Sequence, residues 1–255
     1  MPAPTADPAL LDEAVALARK AGAHTLQWFG TEDLVVDRKD DGSPVTEADR
    51  ATERLVRQHL ASSHPDDAIV GEEEDDRSGT SGRRWIIDPI DGTKAFTHGV
   101  PLYSTLLAVE DEHGPAIGVI ELPALGETVY AGRGLGCFRN GRSTRVSERT
   151  RVRGSYLTTS GFDYWPEPAL NAVYGSGMFM RTWGDGYGYA LVATGRVEAM
   201  VDTSAAQWDL AAMPVIITEA GGRFTDFSGV TRADGGNGIA TNGRIHDEVL
   251  ALLTG

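Results

Sequence analysis

Cysteine is nearly absent. A single thiol, Cys137, stands among 255 residues. No intrachain disulfide can form, and the expectation is a reducing compartment. Long apolar runs are missing too, and nothing approaches the ~18 residues of a membrane span. The opening, MPAPTADPALLDEA, lacks the basic-then-apolar order of a signal peptide. These absences predict a cytoplasmic protein with no membrane partner. Positive charge is scarce, with 23 Lys and Arg against 37 Asp and Glu for a net charge of −14. Such a surface repels nucleic acid and anionic lipid, which removes both as partners. It also repels a phosphorylated substrate unless cations intervene.

Several catalytic signatures are lacking as well. No Gly-x-Ser-x-Gly elbow occurs, and the six histidines show no zinc-like spacing. GCFRNGRS imitates a phosphate-binding loop, but Arg142 stands where lysine is required. The glycine runs at 132–136 and 184–188 are not the dinucleotide fingerprint. His59 and His64 read as surface residues, and Cys137 as packing.

What is present has the make-up of an ordinary globular protein, 41% hydrophobic. The length suits two abutting subdomains, which we place at 1–146 and 147–255. Residues 1–6 read as a loose tail. Asp7-Pro8 predicts a helix start, and the helix is expected to run to Phe29 before Gly30. A short strand and polar loop fill 33–44. Thr46-x-x-Asp49 predicts a capping box opening a second helix over 46–60. A strand is expected at 68–74 and a loop at 75–84. From Trp85 to Val146 the alternation predicts an antiparallel meander, with a hairpin at Asn140-Gly141. The second half alternates strands and helices, including one helix over 208–222 closed by Gly221-Gly222. The fold class is therefore α/β (α+β).

Within this frame the carboxylates draw attention. Glu72, with Glu73, follows a short strand. Asp88 ends the apolar run Trp85-Ile86-Ile87, and Asp91 follows three residues later. Asp209 opens a helix. Hard cations such as Mg²⁺ seek carboxylate oxygens. The Ile90 carbonyl between the paired aspartates offers a neutral ligand. Gly92 and Thr93 would open a helix or turn with free N–H groups suited to phosphate. Each part also has a bland reading: Asp-Pro-x-Asp-Gly is a good turn sequence, Asp209 suits a helix cap, and Asp49 suits the capping box.

Taken together and in order, GEE (71–73), WIIDPIDGTKAF (85–96) and WDLAAMPVIITEAGG (208–222) resemble the signature segments of the inositol monophosphatase superfamily. The likeness spans nearly the whole chain. VTEAD (45–49), GVPLYSTLLA (99–108), RTWGDGYGYALVATGRVEAMVD (181–202) and GIATNGRIHDEVL most resemble its bacterial histidinol-phosphatase branch, although Gly186 replaces the residue usual there. The resemblance implies an αβαβα layered sandwich, a homodimer, and a Mg²⁺-dependent phosphomonoesterase with two or three ions per site. It implies metal ligands at Glu72, Asp88, the Ile90 carbonyl, Asp91 and Asp209. Thr93, supported by Asp49, would activate water alongside Glu72, and the Gly92 and Thr93 N–H groups would hold phosphate. Lys39 lies in a loop that approaches the site in relatives.

Two Mg²⁺ would roughly neutralise four carboxylates and admit the phosphate despite the acidic chain. The expected substrate is histidinol phosphate, with inositol 1-phosphate as the alternative. Histidinol phosphate carries an ammonium group and an imidazole, so its pocket needs further carboxylates. Asp185 and Asp202 are the candidates, with bland readings as a helix cap and a turn residue. By resemblance the Asp202 position contacts the leaving group.

Overall fold

The computed structural model describes residues 3–32, 34–39 and 42–255. Met1 and Pro2 of the expected tail, and Asp33, Asp40 and Asp41 of the expected 33–44 segment, lie outside the described residues. The rest of the tail is not loose. The Ala6 N–H donates to the Arg133 carbonyl at 2.9 Å, and Arg133 Nε donates to the Pro4 carbonyl at 2.7 Å.

The first half opens with helix α1 (Pro8–Thr25), whose Asp7 cap accepts from the Ala9 N–H. A two-stranded sheet, β1 (Val36–Arg38) and β2 (Pro44–Thr46), leads into α2 (Glu47–Ser63). The capping box forms as the spacing predicts, with Asp49 accepting from the Thr46 N–H at 2.8 Å. A seven-stranded sheet follows in spatial sequence: β3 (Ala68–Gly71), β4 (Arg84–Asp91), β5 (Ser104–Asp111), β6 (Gly114–Leu122), β7 (Glu127–Gly132), β8 (Gly136–Arg139) and β9 (Arg142–Ser143). β3 joins β4 in parallel, and every later pair is antiparallel. Asn140 and Gly141 both take positive φ between β8 and β9, as their hairpin signal requires. The short helix α3 (Thr93–Thr97) follows β4.

In the second half a five-stranded sheet has the order β11-β10-β12-β14-β13. Its strands are β10 (Tyr156–Thr158), β11 (Phe179–Arg181), β12 (Ala199–Asp202), β13 (Arg223–Thr225) and β14 (Gly238–Thr241). Between them run α4 (Glu167–Ser176), α5 (Asp185–Ala193), α6 (Gln207–Leu210) and α7 (Met213–Glu219), with α8 (His246–Thr254) last.

Burial sets the layers. Leu11, Ala14, Ala18, Val56 and Leu60 of α1 and α2 pack on Trp85, Ile87, Leu107 and Val119 of the larger sheet. Its opposite face, with Ile86, Leu106 and Ile120, packs on Val192, Met213 and Ile216 of α5 and α7, and these meet Met200 and Phe224 of the smaller sheet. The far face of that sheet is covered by Val173 of α4 and Val249 of α8. The sequence of layers is therefore αβαβα.

The strand expected over 68–74 ends at Gly71, and two helix expectations change. α1 stops at Thr25 rather than Phe29. Thr25 Oγ1 hydrogen-bonds both the Gly22 carbonyl and the Tyr103 hydroxyl, and residues 26–30 turn so that Trp28 and Phe29 pack on Ile90, Phe96 and Tyr103. The helix expected over 208–222 is two helices. Pro214 has no N–H to offer the Leu210 carbonyl, so the turn breaks there.

Candidate active site

Residues three apart on a strand point to opposite faces, yet a metal site needs Asp88 and Asp91 together. The strand supplies the correction. Asp88 pairs with Leu106 and Asp91 with Ser104, so three steps on β4 oppose two on β5. This extra residue is a β-bulge, and Pro89, which cannot donate to the ladder, sits inside it. The Thr105 hydroxyl pins the Pro89 carbonyl at 2.8 Å. The bulge cancels the odd spacing, and Asp209 arrives from the first turn of α6. Carboxylate oxygens of Asp88, Asp91 and Asp209 lie within 4.8 Å of one another. Ile90 is packed with Phe96 and Tyr103 beneath them.

Asp91 and Asp209 are held by hydrogen bonds. Asp91 Oδ2 accepts from Ser104 Oγ at 2.6 Å and from the Gly186 N–H at 2.5 Å. Asp209 Oδ2 accepts from the Ala206 N–H at 2.7 Å. Asp88 is only 2% exposed, and its Oδ1 has no hydrogen-bond partner. Burial first, then repulsion from neighbouring carboxylates that include Glu72, Asp185 and Asp202, pushes the Asp88 and Asp91 carboxyls well above the usual carboxylate range and that of Asp209 up to about 7. A buried acceptor without a donor and three like charges without a counter-charge fit a hard divalent cation.

Glu72 lines the same cavity but stands outside that tight group of three. Lys39 Nζ binds Glu72 at 2.7 Å and Glu73 at 2.6 Å. Burial lowers the Lys39 pKa, but the bonds to the two glutamates outweigh it and raise the net value. Thr93 Oγ1 donates to the Ile90 carbonyl at 3.1 Å. Asp49 is buried in its capping box, with Oδ2 also accepting from Thr46 Oγ1 at 2.6 Å. No hydrogen bond joins Thr93 to Asp49, and Asp49 Oδ1 has no partner. Burial raises the Asp49 pKa to about 6, with the charges of Glu73 and Glu72 adding to it.

The cavity holds about 500 Å³ and is lined by Glu72, Asp88, Ile90, Asp91, Gly92, Thr93, Asp185, Asp202 and Asp209 among others. Every residue expected at the site lines it except Asp49, which is tied to Thr46, and Lys39, which is paired with Glu72 and Glu73. Gly92 has φ +82, and a Cβ there would meet Asp185 Oδ2 at 2.8 Å. Gly186 is forced by proximity, because its Cβ would strike Ser104 Oγ and Asp91 Oδ2. Asp202 is fully held, accepting from Ser160 Oγ at 2.6 Å and the Tyr189 hydroxyl at 2.9 Å. Burial raises its pKa to about 6. Asp185 takes a positive φ of 53, and its N–H donates to Ser160 Oγ at 2.9 Å. Burial raises the Asp185 pKa too.

Sequence reasoning missed Ser104, Ser160 and Tyr189, which fix these acids. Ser104 lies inside GVPLYSTLLA, a segment already part of the resemblance. Ser160 and Tyr189 carry no local signal, because their partners are 42 and 13 residues away.

Comparison with known proteins shows the family. The model of the inositol monophosphatase family matches residues 7–254. A histidinol-phosphatase of Chlorobaculum parvum is 44% identical, covering 91% of both chains. One of Mycobacterium tuberculosis is 40% identical, covering 94% of this chain and 96% of its own. The solved structure of the IMPase of Thermotoga maritima superposes with a TM-score of 0.85 at 35% identity, over 96% of each chain. The relatives define a phosphoric monoester hydrolase. The chain belongs to the inositol monophosphatase family, whose members are metal-dependent and act on small phosphorylated substrates. No helix among the described residues is long and apolar enough to cross a membrane.

Proposed function

We propose that this enzyme hydrolyses L-histidinol phosphate to L-histidinol and phosphate, a step of histidine biosynthesis, using Mg²⁺ at two or three positions. The observation that carries the substrate is the pair of histidinol-phosphatase relatives at 44% and 40% identity. Asp185 and Asp202, which line the cavity, support it by matching a cationic leaving group.

Bound Mg²⁺ supplies Lewis-acid chemistry, polarising phosphoryl oxygens and making water more acidic. Asp88, Asp91, Asp209, Glu72 and the Ile90 carbonyl would hold it. The first N–H groups of α3, at Gly92 and Thr93, have no intrahelical acceptor and would bind the phosphate oxygens. Thr93 gives its own proton to the Ile90 carbonyl. Its oxygen is therefore left to accept from the attacking water and aim it. Asp49, with one free oxygen and a pKa raised by burial to about 6, has the basicity to receive a proton near neutral pH, and it would do so through Thr93 once the two side chains, which are not hydrogen-bonded here, are brought into contact. The step needs large assistance, because a side-chain base alone supplies only about 10²–10⁴-fold, far short of what phosphate monoester hydrolysis requires.

The same reading makes the two subdomains 1–146 and 147–255, each built on its own sheet. It puts the enzyme in the cytoplasm, supported by the near-absence of cysteine, a single buried thiol. A homodimer is supported by the resemblance. Inositol 1-phosphate is the second reading, favoured by the likeness to the Thermotoga maritima IMPase. Phosphate release from both esters, with Mg²⁺ present, tests the proposal. It predicts a higher kcat/KM for histidinol phosphate, and the reverse order gives the function to the second reading.

A further inference from the structure

The cavity extends beyond the carboxylates to a turn, residues 159–165, that the chemistry above leaves unused. Its stem is fixed. The Thr159 N–H donates to the Arg181 carbonyl at 3.1 Å. Thr159 Oγ1 donates to the Gly161 carbonyl and accepts from Trp165 Nε1 at 3.1 Å. Trp165 is buried with α4 and α8 against the five-stranded sheet. Ser160, next along, holds both Asp202 and the Asp185 N–H. The turn is thus in register with the two carboxylates suited to a cationic leaving group.

The tip is built differently. Asp163 and Tyr164 both line the cavity, and neither side chain has a hydrogen bond, ion pair or ring contact among the described residues. Tyr164 is 72% exposed, whereas its neighbour Trp165 is 8% exposed. A large ring left mostly exposed, with no other ring stacked on it among the described residues, presents a free face at the wall of a cavity. That face is the negative side of the ring quadrupole, which attracts cations. The charges lining this cavity agree. Lys94 is the one cation among its lining residues, on α3 beside the phosphate-binding turn, while Asp163, Asp185 and Asp202 line it beyond the three clustered acids.

We propose that Asp163 and Tyr164 determine specificity, Tyr164 covering a flat, positively charged ring of the leaving group and Asp163 facing its charge. The proposal rests on the substrate class inferred above and deepens it. The imidazole of histidinol phosphate, in its protonated form, is such a ring. A polyol leaving group has neither the flat face nor the charge.

The test compares Tyr164→Ala, Tyr164→Phe and Asp163→Asn with the wild type on histidinol phosphate and glycerol 2-phosphate, with Mg²⁺ present. The ratio of kcat/KM for the first ester over the second should fall about tenfold in Tyr164→Ala. The fall should come through KM, and Tyr164→Phe should restore the ratio because the face matters and not the hydroxyl. Asp163→Asn should lower the ratio several-fold, with the effect shrinking as salt rises. An unchanged ratio in both Tyr164→Ala and Asp163→Asn overturns the proposal. L-Histidinol as an inhibitor of glycerol 2-phosphate hydrolysis reads the same contact without turnover of its ester. Its inhibition constant should rise about tenfold in Tyr164→Ala, and a constant unmoved by the substitution overturns the contact. Faster wild-type hydrolysis of inositol 1-phosphate would remove the proposed substrate, and the inhibition constants would still decide the role of Tyr164.

Discussion

Asp91 has two duties that a substitution can separate. One oxygen accepts from Ser104 and Gly186, and the carboxylate also adds a negative charge within 4.8 Å of Asp88 and Asp209. Asp91→Asn keeps an acceptor oxygen and removes the charge. The chelator-treated variant should therefore melt no lower than the wild type, since the cost of burying an ionisable carboxyl is gone. Its melting point should no longer rise when Mg²⁺ is added, and a rise equal to the wild type's would show that Asp91 does not hold the ion. Asp49 poses the opposite question, because it is visibly a cap. Thr46→Ala removes the capping hydroxyl and should cost about 1 kcal/mol of stability while leaving kcat nearly intact. Asp49→Asn should lower kcat at least tenfold with little change in KM, as loss of a proton acceptor does. If Asp49→Asn loses only stability, measured by denaturant unfolding, the carboxylate is a cap and nothing more.

At the scale of elements, the bulge in β4 and the close approach of α5 make the site. Gly186 lets α5 bring its N–H onto Asp91, and Gly186→Ala should push Ser104 and Asp91 apart. We expect a fall in Mg²⁺ affinity of tenfold or more, of the size seen when groups supporting metal ligands are lost. Calorimetric titration with Mg²⁺ checks this, and an unchanged affinity would remove α5 from the account. The same elements show what a sequence discloses. The Asp7 cap, the Thr46–Asp49 box and the Asn140-Gly141 hairpin were legible because each is a contact of two to four neighbours. Asp88, Asp91 and Asp209 were legible as acids at element ends. The bulge that brings the first two together was not, because it exists only in the pairing with β5. The early end of α1 was hidden for the same reason, since the Thr25 hydroxyl bond to Tyr103 crosses 78 positions. Pro214 did carry a local signal for the break between α6 and α7, which the strong apolar run around it masked.

For the molecule as a whole, buried acids dominate the response to pH. Asp49 and Asp202 are raised to about 6 and Asp209 to about 7, from an ordinary 3.8, chiefly by burial. Above 3.8 the unfolded chain has released these protons, while the metal-free fold keeps them until pH 6–7. Their contribution to stability is therefore present at low pH and lost as pH rises through 6–7. His246 works the other way. It is buried between the Thr225 and Thr241 hydroxyls, and burial lowers its pKa from 6.5 to about 4. Its contribution is present above 6.5 and lost as pH falls toward 4. Three acids outweigh one imidazole near neutrality, so the chelator-treated protein should melt higher at about pH 6 than at about pH 8. Mg²⁺ should reverse the order, because ligands must be deprotonated to bind it. Thermal melts at the two pH values, with chelator and with Mg²⁺, check both signs. The central claim is that this carboxylate cluster holds the ion on which histidinol phosphate hydrolysis depends. Its most direct test is phosphate release from histidinol phosphate as Mg²⁺ is titrated into chelator-treated protein, in the wild type and in Asp91→Asn. The account predicts no release before Mg²⁺, full recovery in the wild type, and a rate at least a hundredfold lower in Asp91→Asn at every concentration. Release at the full rate in chelator, or an Asp91→Asn curve that overlays the wild type, would contradict it.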